Sequence, residues 1–310
     1  MTRIVPNKHS SMKTSMSLTW RRMVKYKNGY LFILPFMAIF GVFTLAPVLM
    51  AVFYSFTSFN ALQPPQFVLL ENYVKLLKDP LFLTSLKNTL LFAVITGPVG
   101  YLLSLLLAWF LSDFSARIRS LLTLLFYAPT LANIYYVWQL IFSSDAYGFL
   151  NAYLVKLGIL TQPVSWLTDP NYLVGTVIFI LLWSSLGTSF LVLIAGFLNV
   201  DRTLYEAAAV DGIHNRWQEL WYITLPYIRP QMLFAAVTSI TASFGIGTAI
   251  DILCGNPSTN YAAWTIMHHL NDSANIRMEM GYACTIATFL FVLMVLANRF
   301  FQKLISKVGQ

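Results

Sequence analysis

The sequence predicts an all-α polytopic membrane protein with six transmembrane helices and both termini on the cytoplasmic side. Three observations carry this. Charged residues are only 10% of the 310 residues while apolar residues are 57%, whereas a soluble domain carries about 25% charge. So little charge cannot cover a water-exposed surface, and much of the chain must face lipid. Six windows are apolar over the roughly 20 residues that a helical span needs. Lys and Arg are also unevenly distributed between alternate connections, as orientation in a membrane requires.

The windows run 30–56, 89–111, 121–142, 173–198, 232–253 and 281–301. The first four hold no Asp, Glu, Lys or Arg; the fifth has only Asp251 and the sixth only Arg299, each near an end. That placement follows from the cost of a charge at mid-bilayer, at least about 2.5–3.5 kcal/mol. With six spans, one side holds only Lys75, Lys78, Lys87, Lys156 and Arg277, and the other fifteen of the 20 basic residues lie with the termini. The basic-rich side is therefore cytoplasmic. The net charge of +8 follows from this asymmetry and needs no nucleic acid to explain it.

The first window is about twice the length of a signal-peptide core and lacks a small-residue cleavage site, so it reads as a retained anchor. Before it, residues 1–29 form a basic tail. Met16, Trp20, Met23 and Val24 fall at helical spacing among Arg and Lys, which fits an interfacial helix on anionic lipid and fits a disordered tail equally. The first helix and its outer loop occupy 30–80, and the remaining core 81–305. No repeat or low-complexity tract is present. The outer connections carry turn signals, "NALQPPQ", "TDPNY" and "CGNPSTN", and are either docking surfaces or solvated connectors. Two cysteines, Cys254 and Cys284, make no disulfide framework; a bridge is open to them, but two unpaired thiols is the plainer reading.

The exception to the oily pattern is "EAAAVDGIHNRWQELWYITLP", 206–226, within the connection 199–229. Thr203 and Glu206 fit a capping box, the Ala run favours helix, and Asp211-Gly212 ends it. A second short helix is expected over about 214–222, and Pro226 falls in the first turn of the fifth span or just before it. On spacing alone the insert is either a capped connector or a docking element.

Glu206-Ala207-Ala208, Asp211-Gly212 and Ile223-Thr224-Leu225-Pro226 resemble the EAA loop of binding-protein-dependent ABC import permeases, whose pattern is roughly EAA-x3-G-x9-I-x-LP. Ten residues, not nine, separate Gly212 from Ile223, and Ile213 stands where Ala is frequent. The extra residue should rotate the second short helix by about 100° unless the turn absorbs it. "YLFILPF", "FVLLENYVKLLKDPLFLTSLKNTLLF", "FYAPTLANIYYVWQLIF", "YGFLN" and "MGYACTIATFLF" resemble the carbohydrate-importing branch, relatives of the maltose and glycerol-phosphate permeases, over most of 30–305. "CGNPST" departs from the Gly-Gly-Pro found there in relatives.

The resemblance implies a MetI-like ABC permease fold in a bacterial cytoplasmic (inner) membrane. It implies transport of a sugar, a di- or oligosaccharide, by alternating access, with glycerol phosphate or an acidic oligosaccharide as the alternative. The implied partners are a second homologous permease subunit in a heterodimer, two ATP-binding cassette subunits and an extracytoplasmic solute-binding protein. No cofactor would be bound by this chain, ATP-Mg sitting on the partner subunits. The sequence has no G-x-x-x-x-G-K-[ST] phosphate loop, so the chain is not expected to be an enzyme. In the coupling loop, the resemblance assigns Glu206 to capping and polar contact, Ala207 and Ala208 to close approach, Asp211 and Gly212 to the turn, and Leu204 and Ile213 to apolar plugs.

Candidates for the substrate path are the polar or amphipathic residues of the spans: Asn133, Tyr135, Tyr136, Trp138, Trp183, Ser184, Thr188, Ser243 and Asp251. Interfacial belts and helix-helix hydrogen bonds explain such residues too. "SFGIGTA", 243–249, has two glycines that either loosen the fifth span or permit close packing, packing being the favoured reading. A membrane-embedded enzyme would need a buried catalytic set, but His9, His214, His268 and His269 lie outside the windows. Adjacent His268 and His269 would not face one another on a helix to share a metal. An ion-coupled secondary carrier would need a mid-membrane acid, and only Asp251, near a span end, is available.

Overall fold

The computed structural model describes residues 25–60, 62–131 and 134–306, the side chains of 129–131 excepted. The interfacial segment at 16–24 and Asn133 lie outside the described residues. Among the described residues the chain is helical, with only isolated bridges such as Thr57 to Phe67 outside helices. The chain divides into two units, Met1–Tyr54 and Ser55–Gln310.

In the first unit, α1 (Lys27–Tyr54) is a 28-residue apolar helix. It passes through a π-turn at Gly41–Leu45 and buries none of its residues. A helix that is apolar all round suits a lipid environment.

The second unit begins with a short helix, α2 (Glu71–Lys78), leading into α3 (Pro80–Ser112), 33 residues long. The Asp79 carboxylate accepts from the amides of Leu81 (2.9 Å) and Phe82 (3.4 Å), and Pro80 fills the first helical position, where no amide is needed. Then come α4 (Ala116–Leu131), α5 (Tyr135–Ile141) and α6 (Phe149–Lys156). α7 (Pro170–Ser184) and α8 (Thr188–Leu198) follow, with the short helices α9 (Arg202–Val210) and α10 (Arg216–Glu219). The last four are α11 (Arg229–Phe244), α12 (Gly247–Cys254), α13 (Ile266–Asn271) and α14 (Met280–Ile305).

Among the described residues four helices are long and apolar enough to cross a membrane, α1, α3, Pro170–Leu198 and α14. A fifth is obtained if α11 and α12, bent by 47° at their junction, form one broken span. Of the third expected window, 121–142, the described residues form α4 up to Leu131 and α5 from Tyr135, and residues 132–133 between them lie outside the described residues. The fourth window is interrupted at 185–187 and the fifth at 245–246. The two glycines of "SFGIGTA" divide the roles suggested for them: Gly245 sits in the break, while a Cβ on Gly247 would meet Met267 Cβ at 3.0 Å.

α3, α8, α11 and α14 pack through small residues. A Cβ on Gly97 would meet Ser243 Oγ at 3.0 Å, and one on Gly100 would meet Ser185 Oγ at 2.6 Å. Ser189 Oγ lies 2.9 Å from Thr238 Oγ1 and donates to the Ala235 carbonyl at 3.1 Å. Close approach plus hydroxyl bonding is how helices associate where lipid is as apolar as they are. Phe190, Leu193, Ile228, Met232 and Ala235 fill the interior around these contacts.

Two features organise the ends of the spans. Asn151, fully buried, donates to the carbonyls of Ser143 and Val164 (3.0 Å each) and accepts from Val164 N (3.1 Å) and Trp166 Nε1 (2.9 Å). The 143–172 connection is therefore an ordered substructure. The second feature is α13. His268 Nδ1 accepts from the Thr265 amide at 3.0 Å, so a histidine takes the Glu position of a capping box. That leaves Nε2 as the protonated nitrogen, 3.1 Å from Asp251. His269 Nε2 lies 3.2 Å from Asp79, so the adjacent imidazoles serve different carboxylates and share no ligand. Cys254 and Cys284 are free thiols.

This arrangement fixes a pH dependence. Burial lowers the pKa of both His268 and His269 from the usual 6.5, with Asp251 and Asp79 opposing the shift only in part. The unfolded chain then takes up protons before the folded one, so stability is complete above about pH 6.5 and falls below it. The slope is about 1.4 kcal/mol per pH unit for each imidazole. Thermal melting of the purified protein should shift downward between pH 7 and pH 5.5, and His268→Gln, which keeps the capping geometry, should flatten the shift. A melting temperature independent of pH over that range would refute it.

Candidate functional site

The breaks in the apolar helices surround one cavity of about 340 Å³. Tyr135 contributes from the start of α5. Ser184, Ser185, Gly187 and Thr188 bracket the break between α7 and α8, and Ser243 and Ile246 the break between α11 and α12. Gly187, at φ −106° and ψ −131°, lies outside the helical region, which is what ends one helix and starts the next. Thr96 adds a hydroxyl from α3, and Ser189, Thr238 and Ser239 add three more. No Asp, Glu, Lys, Arg or His lines the cavity among the described residues.

The protons of these hydroxyls are largely committed. Thr96 donates to the Phe92 carbonyl (2.8 Å), Ser185 to Leu182 (2.6 Å) and Ser243 to Ile240 (2.7 Å). Such back-bonding within a helix leaves oxygen lone pairs pointing outward. The wall therefore presents acceptors to a ligand rich in hydroxyl donors. A polar recess at broken apolar helices is also the recurrent setting of solute sites in membrane transporters.

Of the sequence candidates, Tyr135, Ser184, Thr188 and Ser243 meet in this cavity. Trp138 packs against Trp183 at 6.1 Å and Phe142 at 5.7 Å, beside the lining and not in it. Tyr136 is exposed, and Asp251 turns to His268. Sequence reasoning missed Thr96, Ser185, Ser189, Thr238 and Ser239. The i,i+4 pairs Ser185/Ser189 and Ser239/Ser243 were a legible signal for a polar helix face.

The insert is two short helices joined by a turn, as expected. The start of α9 differs from expectation: Asp201 is the cap, accepting from the Thr203 amide at 3.0 Å, so Thr203 and Glu206 are already inside the helix and form no capping box. Asp201 has the extended backbone of a cap, φ −66° and ψ 127°, two residues before the expected capping residue, so the helix starts at Arg202. The helix ends on Gly212 at φ +91°, with Ile213 N donating to Ala208 O (3.0 Å) and Gly212 N to Ala209 O (3.3 Å). This is the Schellman pattern, and it leaves Ile213 half-buried. Ala208 alone on α9 is buried; Glu206, Ala207 and Val210 are exposed, as are Asp211 and, less fully, Leu204.

The second helix starts at Asn215, which caps Trp217 N (3.0 Å), and continues through a π-turn at Leu220–Thr224 into Leu225–Tyr227. A π-turn accommodates one residue more than an α-turn. The π-turn overlaps the interval between Gly212 and Ile223 that holds the extra residue. Tyr205 OH lies 2.8 Å from Thr224 Oγ1 and ties the two helices. Arg216 pairs with Asp113 at the end of α3, a bond that raises the guanidinium pKa, and Trp109 packs at a tilt against Trp217, ring centroids 4.6 Å apart. A second cavity, about 620 Å³ and polar, lies between the insert and the ends of α3 and α8.

Residues 98–309 match the family described as binding-protein-dependent transport system inner membrane component. The lactose transport system permease protein LacF of Rhizobium radiobacter is 28% identical over 281 residues, 89% of this chain and 92% of that protein. The arabinooligosaccharides transport system permease protein AraP of Bacillus subtilis is 30% identical over 292 residues, 92% and 91% of the two chains. A crystal structure of a bacterial ABC transporter importing the acidic polysaccharide alginate contains a chain of the same fold. The TM-score is 0.77 at 23% identity, covering 94% of this chain and 99% of that one. That alginate transporter has also been solved with an alginate pentasaccharide-bound periplasmic protein.

Proposed function

Because the chain belongs to the family of binding-protein-dependent transport system inner membrane components, we propose that it is the permease subunit of an ATP-driven importer that carries a neutral di- or oligosaccharide into the cytoplasm by alternating access. The observation that carries the solute class is the 340 Å³ cavity at the helix breaks, rich in hydroxyl acceptors and without an ionised side chain. The names of the relatives, lactose and arabinooligosaccharide permeases, support the same reading. An acidic oligosaccharide or glycerol phosphate is the second reading, favoured by the alginate importer of the same fold; the uncharged lining weighs against it.

In this reading the chain crosses the membrane six times, the segment 116–141 supplying the remaining crossing, with both termini cytoplasmic. Residues 1–29 are a basic tail, 30–80 the first span and outer loop, and 81–305 the transport core with its coupling loop at 199–229. It pairs with a second permease subunit, two ATP-binding cassette subunits that hold ATP-Mg, and an external solute-binding protein. It hydrolyses no ATP itself. α9 is the contact with an ATPase subunit: Glu206, Ala207 and Val210 make the exposed face, Leu204 its flank, Ala208 the close approach to the body, and Asp211, Gly212 and Ile213 the rigid end. Asn133, Tyr135, Ser184, Thr188 and Ser243 belong to the solute path, and Trp138, Trp183 and Tyr136 to its aromatic surround.

The assembled transporter in proteoliposomes, with loaded solute-binding protein, should take up a labelled neutral oligosaccharide only when ATP is supplied. Uptake driven by an ion gradient without ATPase subunits would overturn the proposal. Uptake of acidic but not neutral oligosaccharides would select the second reading.

A further inference from the structure

We propose that the polar cavity beside the insert, together with a groove between α4 and α8, binds one anionic phospholipid, its phosphodiester on Arg119 and Arg202 and an acyl chain in the groove. The two spaces, about 620 Å³ and 450 Å³, share Arg119 and Leu198 in their walls. They therefore meet on either side of Arg119. Arg216 in the polar space is matched by Asp113. What remains is Arg119 and Arg202 against Glu219, an excess of one positive charge. A phosphodiester carries one negative charge.

Neither Arg119 nor Arg202 forms an ion pair among the described residues. Arg119 Nη1 donates to the carbonyls of Ser112 (3.4 Å) and Phe114 (3.3 Å), which orient the planar fork without neutralising it. A held, unneutralised guanidinium is suited to phosphate oxygens. The groove leaves Arg119 along Ser120, Thr123, Leu124 and Tyr127, one face of α4 at i, i+3, i+4 and i+7, opposite Ile194 and Ala195 of α8. Those four positions span about 10 Å of helix at 1.5 Å per residue, enough for part of an acyl chain. A free anion would need only the polar space. The groove beginning at the same arginine, whose far wall is Ile194, Ala195 and Leu198, is what selects a lipid, and basic pockets at the ends of membrane helices hold anionic headgroups. The site does not depend on which solute is carried. Because it adjoins α10 and the start of α9, it would link the stability of the insert to lipid charge.

The test uses the complete transporter complex in mild detergent. Brominated phosphatidylglycerol should quench its tryptophan fluorescence, through Trp109 in the cavity wall, at lower concentration than brominated phosphatidylcholine. Arg119→Gln with Arg202→Gln should weaken that quenching by about tenfold or more, the worth of a charge-assisted hydrogen bond. Arg117→Gln, on the same helix but outside both walls, should leave it unchanged. Ala195→Trp, which blocks the groove without touching a charge, should weaken it as well, and covers the case in which the double variant does not assemble. Equal quenching by the two lipids, or full displacement of the anionic lipid by inorganic phosphate, overturns the proposal. So does an Ala195→Trp complex that binds as wild type.

Discussion

An assembled transporter carrying Gly212→Asp or Glu206→Lys should lose solute-stimulated ATP hydrolysis while the chain still inserts into the membrane. The two changes act through different physics. Gly212 sits at φ +91°, with nothing within 4 Å of where a Cβ would lie. A side chain there meets no neighbour but forces the backbone, at a cost of about 1–2 kcal/mol. The strain falls on the amides of Gly212 and Ile213, whose bonds to Ala209 and Ala208 close the end of α9. A frayed α9 cannot transmit force from an ATPase subunit to the spans. Asn and Asp tolerate the left-handed region alike. What sets Gly212→Asp apart is a second carboxylate beside Asp211 at the C-terminal end of α9, where negative charge is unfavourable. Gly212→Asn should retain most coupling and Gly212→Ala less. Glu206 is exposed and caps nothing. Its reversal to Lys should change the stability of the chain by only a few tenths of a kcal/mol, so any loss of coupling reports a lost partner contact. Normal coupling in both variants would remove α9 from its proposed role.

The uninterrupted helices were legible from hydropathy alone, because α1, α3 and α14 are long apolar runs with charges only near their ends. The broken ones were not. A hydropathy window sums over 185–187 and 245–246 without registering that the hydrogen-bonded run breaks at each, and those interruptions border the cavity. Four of the nine path candidates, Tyr135, Ser184, Thr188 and Ser243, line it. Polarity inside an apolar helix selects residues but not the direction they face. Trp138 and Asp251 were chosen on the same ground and turn to aromatic neighbours and to His268. The end of α9 was read correctly because only Gly fits φ +91° cheaply. Its start was misread because Asp201 and Thr203 are both legitimate caps, and spacing cannot choose between them. Counting residues against the family pattern located an extra one between Gly212 and Ile223, but only the backbone shows that a π-turn at Leu220–Thr224 overlaps that interval.

The hydroxyl cavity leads to a prediction whose form depends on where selection occurs. In a binding-protein-dependent system the external protein captures the solute, so the membrane cavity acts on solute already delivered. Thr188→Val and Ser243→Ala each remove one hydroxyl from the wall. A hydrogen bond of this kind contributes about 1 kcal/mol net, or about fivefold in rate when it is made along the transport path. The maximal rate of ATP-driven uptake should fall by that factor for each variant. The concentration of loaded binding protein that gives half-maximal uptake should stay unchanged. Ser243 bonds only within its own turn, to the Ile240 carbonyl, so its truncation leaves no tertiary partner unsatisfied and the loss cannot be assigned to unfolding. Ala242→Trp tests the same space by volume. Ala242 lines the cavity and is exposed, so an indole there displaces solute rather than core. Uptake should drop by about a hundredfold or more, the loss of nearly 3 kcal/mol of interactions along the path. Basal ATP hydrolysis should persist, because α9 and its contacts are untouched. Wild-type uptake in the Trp variant would mean that solute passes elsewhere, and the hydroxyls around the helix breaks would then be serving helix packing alone.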